Sequence, residues 1–511
     1  MKWTRKTALW GVMIASAMTL AACDEDPTGT VNLPMEPGNV AVAVTGTDLT
    51  VSWDAVANAE SYDVTAATDG EQDRTQNVTE TTATFTGLTE GATYAVQVTA
   101  VNEAGEASSN LLLVTIDESI ELVTGDILTN TTWTSDKTYI LTQPIFVGGD
   151  CGTDGAKEGC TQATLTIEPG TTILGRSDVP QGIRGAYLVV SRGSRLVADA
   201  TGEDRAPTAD EVIVFTSDRP RGDRARGDWG GLIINGQAPT NAGSEAQGEG
   251  DSGFYGGADD NDDSGILRGV RIEYAGDDVT PADQLNGLAL QGVGAGTTIS
   301  YLQIHYNTDD GIEPFGGTVS VDHLVVTGIG DDSVDGTDGY RGFMQFILGQ
   351  QRGDNADRGF EISNNGDDGD AAPHTTAVIA NATMIGARNT VVSGEIGGAE
   401  SSRGVEFREG SRYRLYNTII AGFNSGFRIA DASTQVAAQN RMDGQATPDS
   451  TLSAEGIILH NNVSTFEDAF AQSFFETAGF NNMVADPGFD ASVYDYGSLS
   501  SPPDFTLSAM P

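Results

Sequence analysis

Two textures of hydrophobic alternation divide the chain. From about residue 33 to 116, apolar and polar positions alternate in short runs with turn residues every ten or so, as in VSWDAVANAESYDVTA and ATFTGLTEGATYAVQVTA. That pattern predicts a small antiparallel sandwich. From about 120 onward the runs become shorter and more apolar, LTIEPGTTILG, AYLVVSRGSRLVA, EVIVFTS and WGGLIING, and are parted by glycine-rich or acidic turns.

Within this second part a four-residue pattern recurs: any residue, Gly, a large apolar residue, then a charged one. It appears as NGLA at 286–289, DGIE at 310–313, DSVD at 332–335, RGFE at 358–361, RGVE at 403–406 and SGFR at 425–428, at spacings of 24, 22, 26, 45 and 22 residues. A period in the low twenties is one turn of a parallel β-helix, and the gap of 45 accommodates a turn with loops inserted. Strand alternation then stacks Ile312, Val334, Phe360, Val405 and Phe427 as an inner column and Glu313, Asp335, Glu361, Glu406 and Arg428 as an outer one. Gly311, Gly359, Gly404 and Gly426 are expected to leave a groove beside them. Phe466, Phe470 and Phe474, at helical spacing within 464–480, predict a helix that caps the last rung.

The stacking gives the acidic residues a chemical meaning. Asp310, Asp332, Arg358 and Arg403 share one column, and Asp309, Asp331 and Asp357 the column before it. Rungs lie ~4.8 Å apart and calcium binds oxygen at about 2.3–2.6 Å, so an ion between two stacked carboxylates reaches both. Without a cation each stacked pair repels by about 3 kcal/mol at an effective dielectric of 20. The expected calcium ligands are Asp309, Asp310, Glu313, Asp331, Asp332, Asp335, Asp357 and Glu361; a solvated acidic face, or carboxylates satisfied by Arg358 and Arg403 alone, is the competing expectation. The clusters DDNDD (259–263) and NNGDDGD (364–370) lack this repetition and read as solvated loops.

Composition narrows the function classes. The formal charge of −46 excludes nucleic acid and bare anionic membrane as direct partners. His305, His323, His374 and His460 stand apart, with no HExxH, and GVGAG at 292–296 is a β-helix turn rather than a dinucleotide fingerprint. No lysine follows Lys157. A polysaccharide lyase would therefore need an arginine base such as Arg341 or Arg358, and arginine holds its proton too tightly for that task.

Residues 1–22 carry Lys2, Arg5 and Lys6 before an apolar run too short to span a bilayer, which predicts an export signal. Its end, LAAC, resembles the lipobox of bacterial lipoproteins, a resemblance that implies lipidation of Cys23, a polar tether over 23–32 and anchoring at a bacterial membrane, outer membrane or cell surface. Cys151 and Cys160 suit an oxidising exterior, and a disulfide between them would contribute ~2.5 kcal/mol by loop closure. Trp53, Leu88 and Tyr94 in 33–116 give that segment its resemblance to a fibronectin type III domain, which implies a spacer or binding module. TWTSDKTYIL, LTIEPGTTI, DWGGLIINGQAP, DDSGILRGVRIEYAG and NTDDGIEPFGG make residues 120–511 similar to a family of bacterial surface proteins with a right-handed parallel β-helix. Locally, DDGIE resembles the DDGFD calcium motif of one class of pectate lyases, which implies metal-ligand roles for Asp309, Asp310 and Glu313. The expectation is an all-β, calcium-binding surface lipoprotein whose partner is an extracellular glycan or matrix. A calcium-dependent lyase or a glycoside hydrolase on acidic polysaccharide is the alternative.

Overall fold

The structure is a computed structural model that describes residues 32–68, 72–117, 119–177, 185–280, 283–353, 356–387 and 401–494. The export signal, Cys23, nearly all of the tether, most of the insertion within 388–402 and the end of the chain lie outside these residues. The described residues up to Ile116, apart from Val44–Gly46, form one compact unit, and those from Asp117 onward form the other.

The first unit is an antiparallel sandwich. Ala41–Thr45, Asp48–Ser52 and Thr82–Phe85 make one sheet; Arg74–Val78, Ser61–Ala67, Thr93–Asn102 and Gly105–Ser108 make the other, with Leu112–Thr115 paired to Thr93–Asn102. Alternate residues of Ser61–Ala67 and Thr93–Asn102 are buried, as period-two patterning requires. Trp53 packs edge-on to Tyr62 at 5.2 Å, and the buried Tyr94 accepts a hydrogen bond from the Thr89 N–H at 3.1 Å through its hydroxyl.

The second unit is a parallel β-helix built on two long sheets. The 10-stranded sheet runs Ile145–Val147, Tyr187–Val190, Gly231–Asn235, Leu288–Gln291, Ile312–Phe315, Val334–Gly336, Arg358–Ile362, Arg403–Phe407, Ser425–Ile429 and Ser464–Phe466. Its register is the one the recurring pattern demands: Leu288, Ile312, Val334, Phe360, Val405 and Phe427 are successive partners, and all are buried. In the 17-stranded sheet, early rungs contribute pairs of short strands. Later rungs contribute one 8-residue strand each: Thr298–His305, Ser320–Thr327, Phe343–Gln350, Val378–Ile385 and Arg414–Ala421.

Each of these long strands turns a corner at one residue with positive φ: Tyr301 (53°), His323 (53°), Phe346 (57°), Asn381 (56°) and Asn417 (48°). The ladders align all five in one column. Gly269 (70°) and Gly456 (71°) take the same position in the flanking rungs. Glycine and asparagine enter this conformation readily, whereas other residues spend roughly 1–2 kcal/mol on it.

Two expectations change. The pattern glycines border no open groove: a Cβ on Gly311 would lie 2.6 Å from Val326 Cγ1, and one on Gly404 2.0 Å from Ile420 Cγ2. They are glycines because each rung winds close against the opposite sheet. The helix expected over 464–480 covers only Ala469–Phe475, because Ser464–Phe466 is captured as a strand and Phe466 extends the inner column beside Phe427. The helix does cap the core, with Phe474 and Phe475 buried against Phe427 at 6.3 and 5.8 Å. A second helix, Ala432–Met442, begins where the Asp431 side chain accepts from the Thr434 N–H.

Candidate metal centre

The turn Tyr306–Gly311 carries the chain from the long strand Thr298–His305 into Ile312–Phe315, and equivalent turns precede Val334 and Phe360. Each turn delivers two polar residues ahead of its strand. The second of them forms a ladder of side chains along the solenoid. Asn286 Oδ1 accepts from the Asp310 N–H at 3.2 Å, Asp310 Oδ1 from the Asp332 N–H at 2.9 Å, and Asp332 Oδ1 from the Arg358 N–H at 2.6 Å. Asn307 Nδ2 pins the first turn by donating to Asp310 O at 2.7 Å. The carboxylates of this column therefore hold successive rungs in register, as well as carrying charge.

The outer column runs Ala289, Glu313, Asp335, Glu361, Glu406 and Arg428. It faces away from the core but is not open to water: Glu313 is 7% and Glu406 2% exposed. Residues 244–256 lie over the outer side of this sheet. Tyr187 donates to Gly250 O at 2.9 Å, Asn235 Nδ2 to Ser252 O at 2.7 Å, and Asn286 Nδ2 to both Glu249 Oε2 at 2.9 Å and Glu313 Oε2 at 2.6 Å. Beneath this cover Tyr187, Val189, Ile233, Leu285 and Ala289 form a second apolar cluster.

Charge along the columns is unevenly compensated. Toward the C-terminal rungs arginines and carboxylates interleave: Arg358 pairs with Asp357 at 2.7 Å, with Asp332 and Glu361 at 3.4 Å, and with Glu406. Arg428 reaches Glu406 at 2.6 Å, Arg403 reaches Glu467 at 2.8 Å, and Arg408 joins Glu361. On the two preceding rungs, among the described residues, no basic side chain forms an ion pair with Asp310, Glu313 or Asp335. Burial first, then the charges of Asp332, Asp335, Asp309 and Asp331, push the Asp310 carboxyl well above the usual range. Burial followed by neighbouring carboxylates does the same to Glu313, through Asp335, and to Asp332 and Asp335, through Glu361. Asp331 is raised by burial and by Asp357.

Four overlapping trios each bring three carboxylate oxygens within 4.8 Å of one another: Asp309, Asp310 and Asp331; Asp310, Glu313 and Asp335; Asp331, Asp332 and Asp357; and Asp332, Asp335 and Glu361. All eight expected ligands are thus brought together. A buried carboxylate must be neutralised by a proton or a cation. The donor set is wholly oxygen, and two ligands on opposite sides of a calcium ion stand about 5 Å apart. The residues fit calcium.

The remaining predicted residues lie elsewhere. Arg341 is held by Asp260 at 2.7 Å. In the DDNDD loop, Asp262 is buried and accepts from Ser264 Oγ at 3.0 Å; burial raises its carboxyl to about 6. Asp367, Asp368 and Asp370 of the other acidic loop are exposed. Cys151 and Cys160 form a disulfide. His305 is packed among Tyr274 and Tyr306, and burial followed by Arg226 and Arg271 lowers its pKa to about 4. Sequence reasoning missed Asn286 and Glu249. The first stands in the NGLA copy of the pattern, so its place in the ladder was available; the second comes from an excursion without period.

The raised carboxyls set a pH dependence. Without a bound cation they would retain protons in the folded chain that the unfolded chain releases above about pH 4. Their stabilising contribution is complete below that pH and is lost as pH rises through the elevated folded values. With chelator present, the melting temperature of the β-helix transition in the full chain should fall between about pH 5 and about pH 8, and Asp335→Asn should flatten the fall. A rise over that interval would contradict the electrostatic assignment.

Comparisons with known proteins agree with this architecture. A family model described as fibronectin type III domain matches residues 35–113, and one described as pectate-lyase like beta helix domain matches residues 125–496. The tail tube protein gp17.1* of Bacillus phage SPP1 is 42% identical over 79 residues, 16% of this chain and 29% of that protein, so the chain spans less than a third of that relative. Among solved structures, the FN5 domain of Drosophila Lar is 23% identical and covers 16% of this chain and 97% of its own, with a TM-score of 0.15. The fn3 domain of human collagen alpha-1(XX) is 20% identical, covers 18% and 93%, and has a TM-score of 0.16. With its match spanning well over half of the 511 residues, the chain belongs to the pectate-lyase-like beta helix domain family, here behind a fibronectin type III domain.

Proposed function

We propose that this is a surface-anchored lipoprotein whose β-helix binds calcium and serves a non-catalytic role on extracellular glycan. The observation that carries the calcium reading is the set Asp310, Glu313 and Asp335, the first two buried and the third partly so, brought together without a basic partner in an ion pair. These three would hold the ion, with Asp309, Asp331 and Asp332 beside it. The ion would supply the positive charge that Arg358 supplies one rung further on, where Asp357 and Glu361 already have a cation. A glycan-related role comes with the pectate-lyase-like domain.

The non-catalytic part rests on the state of the candidate groups. Arg358 is enclosed by four carboxylates that, against the opposing effect of burial, raise its pKa above the already high value of arginine, so it is no base. Arg341 is engaged by Asp260. Asp332 is 1% exposed and Asp310 and Glu313 each 7%, so these three carboxylates are withdrawn from a sugar approaching from solvent. Release of unsaturated uronate from pectate, lost in Arg358→Ala, would overturn this part and establish a lyase.

Chelation should lower the melting temperature of the β-helix, and calcium should restore it better than magnesium, whose geometry is stricter. Calcium at ~100 times its Kd should add ~2.7 kcal/mol. Asp310→Asn with Asp335→Asn should blunt this response while raising calcium-free stability, since asparagine already fills the Asp310 position one rung earlier as Asn286. Melting indifferent to both chelator and calcium would remove the metal from the account. The anchor has its own test: Cys23→Ser should release the protein from the membrane fraction, and a variant that stays bound after a high-salt wash would refute lipidation.

A further inference from the structure

We propose that the outward side of the long strands Thr298–His305 to Arg414–Ala421 is a binding surface for an uncharged polysaccharide, separate from the acidic columns. The first observation is the corner column. Asparagine and glycine make this bend at Gly269, Asn381, Asn417 and Gly456, yet three successive rungs between them use Tyr301, His323 and Phe346. These residues accept an unfavourable backbone conformation to place aromatic rings outward. The rings stack along the solenoid, Tyr301 on His323 at 4.3 Å and 12°, and His323 on Phe346 at 4.9 Å. Phe346 is 47% exposed and Phe343, on the same strand, 61%. Strain kept at several aligned positions points to a use for the side chains rather than for the bend.

The second observation is charge. In a chain with 73 Asp and Glu, these five strands hold one carboxylate, Asp322, and one arginine, Arg414. Asp322 is itself paired with His323 Nδ1 at 2.6 Å. What accompanies the rings is amide: Gln303, Gln345, Asn381 and Asn417 stand at non-core positions of the strands. Rings take the apolar C–H faces of a ligand and amides both give and accept hydrogen bonds with hydroxyls. A neutral sugar polymer presents both, and a surface repeated rung by rung suits a repeating ligand. A polyanionic glycan would find little to pair with here, and a second copy of a chain with formal charge −46 is repelled at long range.

The test is affinity electrophoresis of the full chain in native gels containing xyloglucan, galactomannan, laminarin or polygalacturonate, with and without chelator. At least one neutral polymer should retard the wild type, and chelator should not relieve the retardation, which separates this surface from the calcium centre. The triple variant Tyr301→Asn, His323→Asn and Phe346→Asn should bind roughly tenfold or more weakly, with its melting temperature maintained because asparagine already makes the same corner twice. Phe343→Ser, at a regular strand position, should weaken retardation independently if the triple variant proves unstable. The proposal is overturned if no neutral polymer retards the protein, if only polygalacturonate does, or if the folded variants are retarded like wild type. It is equally overturned if sedimentation shows self-association that the same substitutions abolish, for the face would then belong to a second copy.

Discussion

Parallel pairing in register sets every side chain of a rung about 4.8 Å from its equivalent in the next, and the rest of this solenoid follows from what each column can tolerate at that distance. Apolar columns gain from it. Ile312, Val334, Phe360, Val405 and Phe427 become a continuous core with no change of register. Columns of one charge cannot gain, so the chain interleaves arginines among carboxylates from Arg358 onward. Where it does not, at Asp310, Glu313 and Asp335, the same stacking that builds the core concentrates negative charge. The cover formed by residues 244–256, joined through Asn286 to Glu313, then limits the water that would screen it there.

The acidic columns accordingly have two physical roles. As acceptors, Asp310 and Asp332 tie each turn to the backbone N–H of the following rung, a task that Asn286 performs without charge at the start of the ladder. Asparagine would serve that role alone. The retention of charge at the next two rungs is what a hard cation explains and a hydrogen-bond ladder does not.

The columns were legible in the sequence because a period of about one turn is preserved in residue type, and a fixed period fixes register. Features without period were not legible. Glu249 belongs to an excursion whose only hint is that Val189, Ile233 and Ala289 are apolar on the outer side of their strands, where solvent would have favoured polar residues. The pattern glycines suggested a groove because a missing side chain looks the same in a sequence whether it opens space or yields it to a neighbour; Val326 and Ile420 fill that space. The segment over 464–480 had helical spacing of phenylalanines, but the open edge of the preceding strand captured its first turn, and Phe466 went to the inner column. Tyr301, His323 and Phe346 carry no hydrophobic signal that marks a positive φ, so the corner they share emerges only in three dimensions.

The central claim is that a cation, rather than protons, neutralises the buried carboxylates. Anomalous scattering from crystals grown with calcium at neutral pH tests it most directly. The account predicts an ion peak enclosed by Asp310, Glu313 and Asp335, with carboxylate oxygens at about 2.3–2.6 Å. A well-ordered trio with no ion peak among its oxygens, or calcium confined to the exposed acidic loops, would contradict it.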